Sequence, residues 1–446
     1  METLSQCLSA WMEAEDLTVA RLTERLGFKS KTSVFRLLHG QSSYRACAQL
    51  CRLLAPGLDA AWRERFDRAL RVEKAGTRRY AMFQALDRCF FPEKSGVSPA
   101  QEAAPGLPAQ DGDVTLLGDP GESVSRLIGS LLARPQETRI GHYVTLSELL
   151  TRPALLEGAI SRLTDQRYRV TLLPEAEERA AALPWGLALW TSADEARIAL
   201  AGAARPAWHP VDAEAAREVR EALRSAEQTP LYRFDTLEAG SDYISFTEAA
   251  FQMEYNRRAV ILKPTPGMQM LPADVVESTF RDFLSDNLDA VVSSRETLIY
   301  TFEKRVKNFY QRRQETVLLL SADAMTQFAR TGVMPDQFYA FRPYTRGERL
   351  RVLQALSALA EKKEVTLRLF PGPGSPYSFE AYEGQGALVY PSDTCYNTRR
   401  QRYRELFLPG PEAFLLFSAY AAELCQRLPQ PDTRAFFAQL IREEER

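Results

Sequence analysis

Residues 92–112 run through proline, glycine, alanine, serine and glutamine with almost no large apolar side chain. A stretch of that kind cannot bury enough surface to offset the entropy of ordering it, so it reads as an exposed linker. The chain is therefore expected to fold as separate parts on either side of it. A length of 446 residues agrees, being more than one hydrophobic core usually serves. A composition of 45% hydrophobic and 26% charged residues is that of a globular chain on both sides.

Upstream of the linker the apolar residues recur at helical spacing. Leu4, Leu8, Trp11 and Met12 fall on one face of a first helix. Asp16-Leu17-Thr18 supplies the cap of a second, which carries Val19, Leu22 and Leu26 and stops at Gly27, a residue that tolerates the left-handed backbone of a helix end. Ser30 caps a third, Lys31 to His39, with Val34, Leu37 and Leu38 on its inner face and Gly40 as the stop. A fourth runs from about Ser43 to Leu54, where Pro56-Gly57 ends it. These four short helices define an all-α domain over residues 1–57, and residues 58–91 form a helical extension that braces it or pairs two subunits.

Beyond the linker, strand-like pieces alternate with amphipathic stretches. Asp113–Leu117, Tyr168–Leu173, Val260–Lys263, Val317–Leu320, Val365–Phe370 and Ala387–Tyr390 are the expected strands. The chain is thus expected to be multidomain, with the all-α part followed by a larger α/β or α+β region divided into 113–228 and 229–446. No internal repeat is evident in the sequence. Six cysteines in a chain of this length read as reduced, packed thiols. Cys47 and Cys51, with His39 the only ligand type nearby, sit on a buried stripe and are not a metal site.

The net charge is −2, but it is unevenly spread: residues 1–91 carry 15 Lys and Arg against 10 Asp and Glu, a net of +5, which leaves −7 for the rest. No basic start followed by an apolar run opens the sequence, and no uninterrupted apolar stretch of about 18 residues occurs, so a cytoplasmic protein without a membrane segment is expected.

The segment from Thr18 to Gly40, a capped helix, a glycine turn, a polar cluster and a short helix ending at glycine, resembles the Cro/repressor-like (XRE-type) helix-turn-helix family. The resemblance extends over about residues 4–57. It departs from the family pattern in two ways: Thr23 stands where a small alanine is usual, and the turn is one residue longer, so that Val34 rather than Ser33 takes the buried position. The resemblance implies that the second helix of the motif enters the major groove of double-stranded DNA while the first crosses the backbone.

With Val34, Leu37 and Leu38 inward, Thr32, Ser33 and Arg36 project outward, and Lys29 and Lys31 flank the helix start. Arg36 suits the two acceptors of a guanine edge. Ser30, Lys31 and Thr32 at the helix N-terminus suit a phosphate, although Ser30 equally serves as a plain cap. Arg45, with Gln41 and Ser42, is a candidate backbone contact. The implied function is a DNA-binding transcriptional regulator that acts as a homodimer, its C-terminal region sensing a small-molecule or protein effector or mediating assembly.

Two other classes compete with that reading: a helical interaction adaptor without a DNA site, and an enzyme that a DNA-binding head localises. Against the enzyme, no HExxH, Gly-x-x-x-x-Gly-Lys, G-x-G-x-x-G or G-x-S-x-G pattern occurs, so no catalytic residue, metal or cofactor is expected. His142 and His209 are isolated. The polar clusters Glu303–Arg313, Arg342–Arg346 and Asn397–Arg402 read respectively as a solvated helix face, a capping box at Thr345 and Glu348, and the approach to an apolar helix.

Overall fold

In the computed structural model of the chain, residues 2–28, 30–92, 112–118, 128–129, 131–132, 138–175, 186–192, 195–200, 208–226, 228–233, 241–279, 288–311, 314–334, 342–372, 374–392, 404–428 and 432–446 are described. Two compact units make up the chain, Met1–Ala85 and Leu86–Arg446.

The first unit is helical: α1 Leu4–Ala14, α2 Val19–Arg25, α3 Lys31–Leu38, α4 Tyr44–Leu54, α5 Ala60–Ala75 and the start of α6, Thr77–Phe90. Each of the first five begins with a side-chain cap, from Thr3, Thr18, Ser30, Ser43 and Asp59 in turn. Such a cap satisfies a helix N–H that would otherwise lack a partner and stabilises by about 1 kcal/mol.

The first three helices also end alike. After α2 the Gly27 N–H donates to Glu24 O at 3.0 Å and the Phe28 N–H to Thr23 O at 3.0 Å. After α3 the Gly40 N–H donates to Leu37 O at 3.2 Å and the Gln41 N–H to Arg36 O at 2.8 Å. The same pair of bonds follows α1, with Asp16 in the left-handed position at φ 48° instead of a glycine. Repeated use of this stop turns the chain sharply after each helix, which lets short helices share one core. That core holds Leu4, Leu8, Trp11, Leu22, Val34, Leu37, Leu50, Leu54 and Phe66, with Trp11 edge-on to Phe66 at 5.9 Å. Cys7, Cys47 and Cys51 lie in it as well, and burial pushes the Cys7 thiol up to about 11 and the Cys51 thiol up to about 12.

The division between the units falls inside α6, ahead of the compositional change at Pro92. The last turn of α6 packs in the second unit. There Phe90 meets Phe379 at 5.2 Å and Tyr420 at 6.1 Å, Arg88 pairs with Glu157 at 2.6 Å, and Asp87 accepts from Tyr420 at 2.8 Å and pairs with Arg427.

The second unit contains two mixed sheets. The first is built from β1 Asp113–Leu117, β2 Ile140–Val144, β3 Tyr168–Leu172, β4 Leu187–Thr191, β5 Ala196–Leu200, β6 His209–Pro210 and β7 Thr229–Pro230, in the order β6-β5-β4-β1-β2-β3-β7. The second is built from β8 Tyr232–Arg233, β9 Ala259–Lys263, β10 Thr316–Ser321, β11 Val365–Phe370, β12 Tyr377–Tyr382, β13 Gly386–Pro391 and β14 Glu405–Pro409, in the order β11-β10-β9-β12-β13-β14-β8.

The two sheets share a plan. In the first, β1, β2 and β3 run parallel side by side and β4, β5 and β6 add antiparallel on the other side of β1. In the second, β9, β10 and β11 do the same and β12, β13 and β14 add antiparallel beside β9. A helix follows the sixth strand in each, α9 (Ala213–Ser225) and α15 (Pro411–Arg427), counting α7 Leu146–Leu149 and α8 Pro153–Ser161 in the first half and α10 Ser241–Glu254 to α14 Arg346–Ala360 in the second. The large unit is therefore a topological duplication, although the sequence displays no repeat.

Every residue of β9 is buried, because both faces of its sheet are covered. Ala259 and Ile261 share a core with Phe302, Val306, Phe328, Val352 and Leu356 of the helices on one side, and α15 packs on β9, β12 and β13. The short segment Thr229–Arg233 belongs to both sheets. β7 pairs with β3, β8 pairs with β14, and between them Leu231 donates its N–H to Val170 O at 3.0 Å and accepts at its carbonyl from Phe407 N at 2.8 Å. Arg404, buried beside this seam, donates to the carbonyls of Asp165 and Tyr168, each at 2.9 Å, and lies 5.0 Å over the Tyr232 ring.

All six expected strands lie within observed ones or reach one residue past them. The reading of Glu303–Arg313 as a solvated face needs correcting at Arg305, which is buried and paired with Glu254 at 2.9 Å. A helix face can be charged and still inward when another element supplies the counter-ion. Thr345 and Glu348 do form the capping box, with Glu348 Oε2 accepting from Thr345 N at 2.8 Å and Arg342 pairing with the same carboxylate. Residues 397–402 lie outside the described residues. His142 is buried, one ring nitrogen 2.8 Å from the Tyr168 hydroxyl and the other 2.9 Å from Gly118 O. No described helix is long and apolar enough to cross a membrane.

Candidate nucleic-acid interface

The stretch from Thr18 to Gly57 contains seven basic residues, Arg21, Arg25, Lys29, Lys31, Arg36, Arg45 and Arg52, and one acidic residue, Glu24. The fold decides which of them face outward. On α3 Val34 and Leu37 point into the core and Leu38 is half-buried, which leaves Lys31, Thr32, Ser33, Phe35, Arg36 and His39 exposed. Arg45, in the first turn of α4, is exposed too. Lys29 lies outside the described residues.

Among the described residues, Lys31, Arg36 and Arg45 enter no ion pair and no side-chain hydrogen bond. Other cations of the unit are engaged: Arg25 lies over the Trp11 ring at 5.4 Å, Arg65 pairs with Glu2 at 2.6 Å, and Arg68 pairs with Glu64 at 2.7 Å. Ser30 is exposed, and its hydroxyl oxygen accepts from Thr32 N at 3.1 Å and donates to the Thr32 hydroxyl at 3.0 Å. The cap is thus occupied locally, and the hydroxyl pair sits at the end of the helix where the partial positive charge of the backbone dipoles favours an anion.

The connection from α2 to α3 is residues 26–30, with Gly27 at φ 66°. Thr23, the residue that departs from the small alanine of the family pattern, turns its hydroxyl back to Val19 O at 2.6 Å and so leaves no polar atom unmatched at the approach to α3. α2 and α3 contact one another, and α1 contacts α3.

Two aromatic residues of α3 and α4 are exposed, Phe35 and Tyr44. Phe35 was not singled out from the sequence, whereas the spacing of Tyr44 with Cys47, Ala48, Cys51 and Leu54 placed it on the apolar face of the fourth helix, although its place in the first turn of α4 leaves it exposed. Phe35 is 47% exposed and Tyr44 43% exposed. The signal was present for Phe35, which falls about 100° round the helix from the buried Val34 and so outside the apolar stripe. No protein-family model matches the chain, and no curated protein matches it either.

Proposed function

We propose that the N-terminal unit is a helix-turn-helix that binds duplex DNA and that the protein is a sequence-specific transcriptional regulator. The reading rests above all on the outward row of α3, where Lys31, Thr32, Ser33 and Arg36 stand exposed on a helix whose other face is fixed in the core. A rigidly held helix with exposed donors is what groove readout needs, since Arg can donate twice to guanine O6 and N7 and hydroxyls reach bases or phosphates. Lys31 and Arg45, on either flank, supply charge for the phosphate backbone.

One helix of this length reads only a few base pairs, so the regulator acts as a dimer on paired half-sites about one helical turn apart. The large unit serves as the sensing or assembly part, and an effector alters DNA binding only through different affinities for the competent and incompetent states. Selection of sequences by the intact protein from a random duplex library tests the proposal: enrichment of a defined, two-fold related site supports it, and an unenriched pool refutes it.

The rival reading, an interaction adaptor, draws on Phe35 and Tyr44, whose exposed rings also suit a protein partner. Salt-sensitive shifts of mixed duplex DNA separate the two readings.

A further inference from the structure

Phe35 carries a half-exposed aromatic ring on a helix that also bears the exposed cations Lys31 and Arg36. Its neighbours on the exposed side of α3 are Lys31, Thr32 and His39, at the spacings of four, three and four residues that place them beside it, with Arg36 about 100° further round the helix. The Phe35 ring lies nearly parallel to the His39 imidazole, with centroids 6.4 Å apart and planes 9° from parallel. The exposed cations of the same helix, Lys31 and Arg36, suit a polyanion and oppose an apolar protein surface. Duplex DNA presents one apolar group on its major-groove edges, the C5 methyl of thymine.

Resting on the reading of α3 as the helix that enters the groove, we propose that Phe35 is a specificity residue that packs its ring on a thymine methyl. Its partner is a base pair close to the one read by Arg36, because the two residues are consecutive on the exposed side of α3. The target sequence then contains one thymine whose methyl group, and not its hydrogen-bonding atoms, is being read. Lys31 and Arg45 set how tightly DNA is held, Arg36 reads its own base pair, and Phe35 adds selection between bases that carry the methyl and bases that lack it.

The experiment uses the intact protein and the duplex it selects from a random library. Each thymidine of that duplex is replaced in turn by deoxyuridine, which removes the methyl and nothing else, and affinity is measured by fluorescence anisotropy. One replacement is expected to weaken binding roughly fourfold, the worth of one buried methyl group. Phe35→Ala is expected to bind the thymine duplex more weakly and to be indifferent to uracil at that position, while Phe35→Leu keeps part of the discrimination. Folding is not at stake in these variants, because the ring lies outside the core. If uracil is tolerated at every position, or if Phe35→Ala keeps the full uracil penalty, the inference is overturned while the DNA reading stands. A selected site without thymine also overturns it, and failure to select any duplex overturns both.

Discussion

In the helical unit Lys31, Arg36 and Arg45 stand in solvent without an ionic partner among the described residues, whereas the large unit encloses several of its charges in the core. There Arg305 lies against Glu254 at 2.9 Å, and Lys263 donates to the Tyr390 hydroxyl at 2.9 Å beside Glu380 at 3.7 Å. Although burial opposes it, the charges of Lys263 and Arg305, helped by hydrogen bonds from Tyr382 and from Tyr390 at 2.5 Å, hold the Glu380 carboxyl below its usual range. Charges enclosed in this way fix the packing of one fold and have little left for a partner. Exposed cations on a rigid helix contribute little to stability and are free to meet an anion from outside. The difference separates the unit we assign to DNA from the unit we assign to regulation.

If the contrast is right, the large unit suffers most from loss of a buried partner. Arg305→Ala is expected to cost about 3–5 kcal/mol of unfolding free energy by taking from the buried Glu254 the guanidinium that pairs with it. Replacing both residues, Arg305→Met with Glu254→Leu, should recover most of it. Urea titration of the three proteins checks this, and a single-residue loss under about 1 kcal/mol would make the pair a surface-like one.

A smaller effect is expected at Glu348, whose Arg342 partner is 38% exposed. The Arg342 guanidinium, with hydrogen bonds from Ser278 and Thr345, holds the Glu348 carboxyl well below its usual 4.5. A folded value lowered in this way means that the stabilising contribution is complete above about pH 4.5 and is lost as the pH falls below it. Glu348→Gln should therefore be destabilising at pH 7, and its deficit relative to the wild type should shrink as the solution is acidified. A deficit independent of pH would remove the ionised carboxylate from the account.

In the helical unit the order reverses, with binding changed and stability kept. Arg36→Ala should weaken binding to the selected duplex by about 1–3 kcal/mol and relax preference at one base pair. Lys31→Ala should weaken all duplexes alike and lower the salt slope by about one. Thermal unfolding of either variant should match the wild type, and equal, sequence-independent losses from both would show that Arg36 reads no base.

The smallest expected effects are at the helix stops. Gly27→Ala places a side chain at φ 66° with nothing within 4 Å, so its cost is backbone strain alone, about 1 kcal/mol. Asp16→Gly, at φ 48°, should stabilise by somewhat less than that. Denaturant midpoints of the two variants should move in opposite directions.

These stops are also why the first unit could be read from its sequence. Thr18, Ser30, Gly27 and Gly40 do their work within a few residues of themselves, so caps and turns are legible locally. Phe35 was passed over because the outward face of the third helix was searched for polar and charged groups, although its position outside the apolar stripe marked it as exposed. In the large unit β9 was legible as an unbroken apolar run, while β12, with Glu380 inside it, was not, because the cations that make its buried carboxylate tolerable, Lys263 and Arg305, are far from it in sequence.

The duplication was hidden by unequal connections. Residues 118–139 join the first two strands of one half, but residues 264–315, including α12 Leu288–Gln311, join those of the other. A trace does survive in the sequence: Pro120-Gly121 follows Leu117 at the same distance as Pro266-Gly267 follows Lys263, in each case just after the first strand of the half.

The most direct test of the central claim is titration of the intact protein into a labelled duplex of mixed sequence over a series of salt concentrations, beside a variant with Lys31, Arg36 and Arg45 all changed to Gln. The account predicts binding that weakens steeply and linearly in the logarithm of salt, with a shallower slope and lower affinity for the variant. Absence of duplex binding at low salt by a protein whose circular dichroism is that of the folded state, or identical curves for wild type and variant, would contradict it.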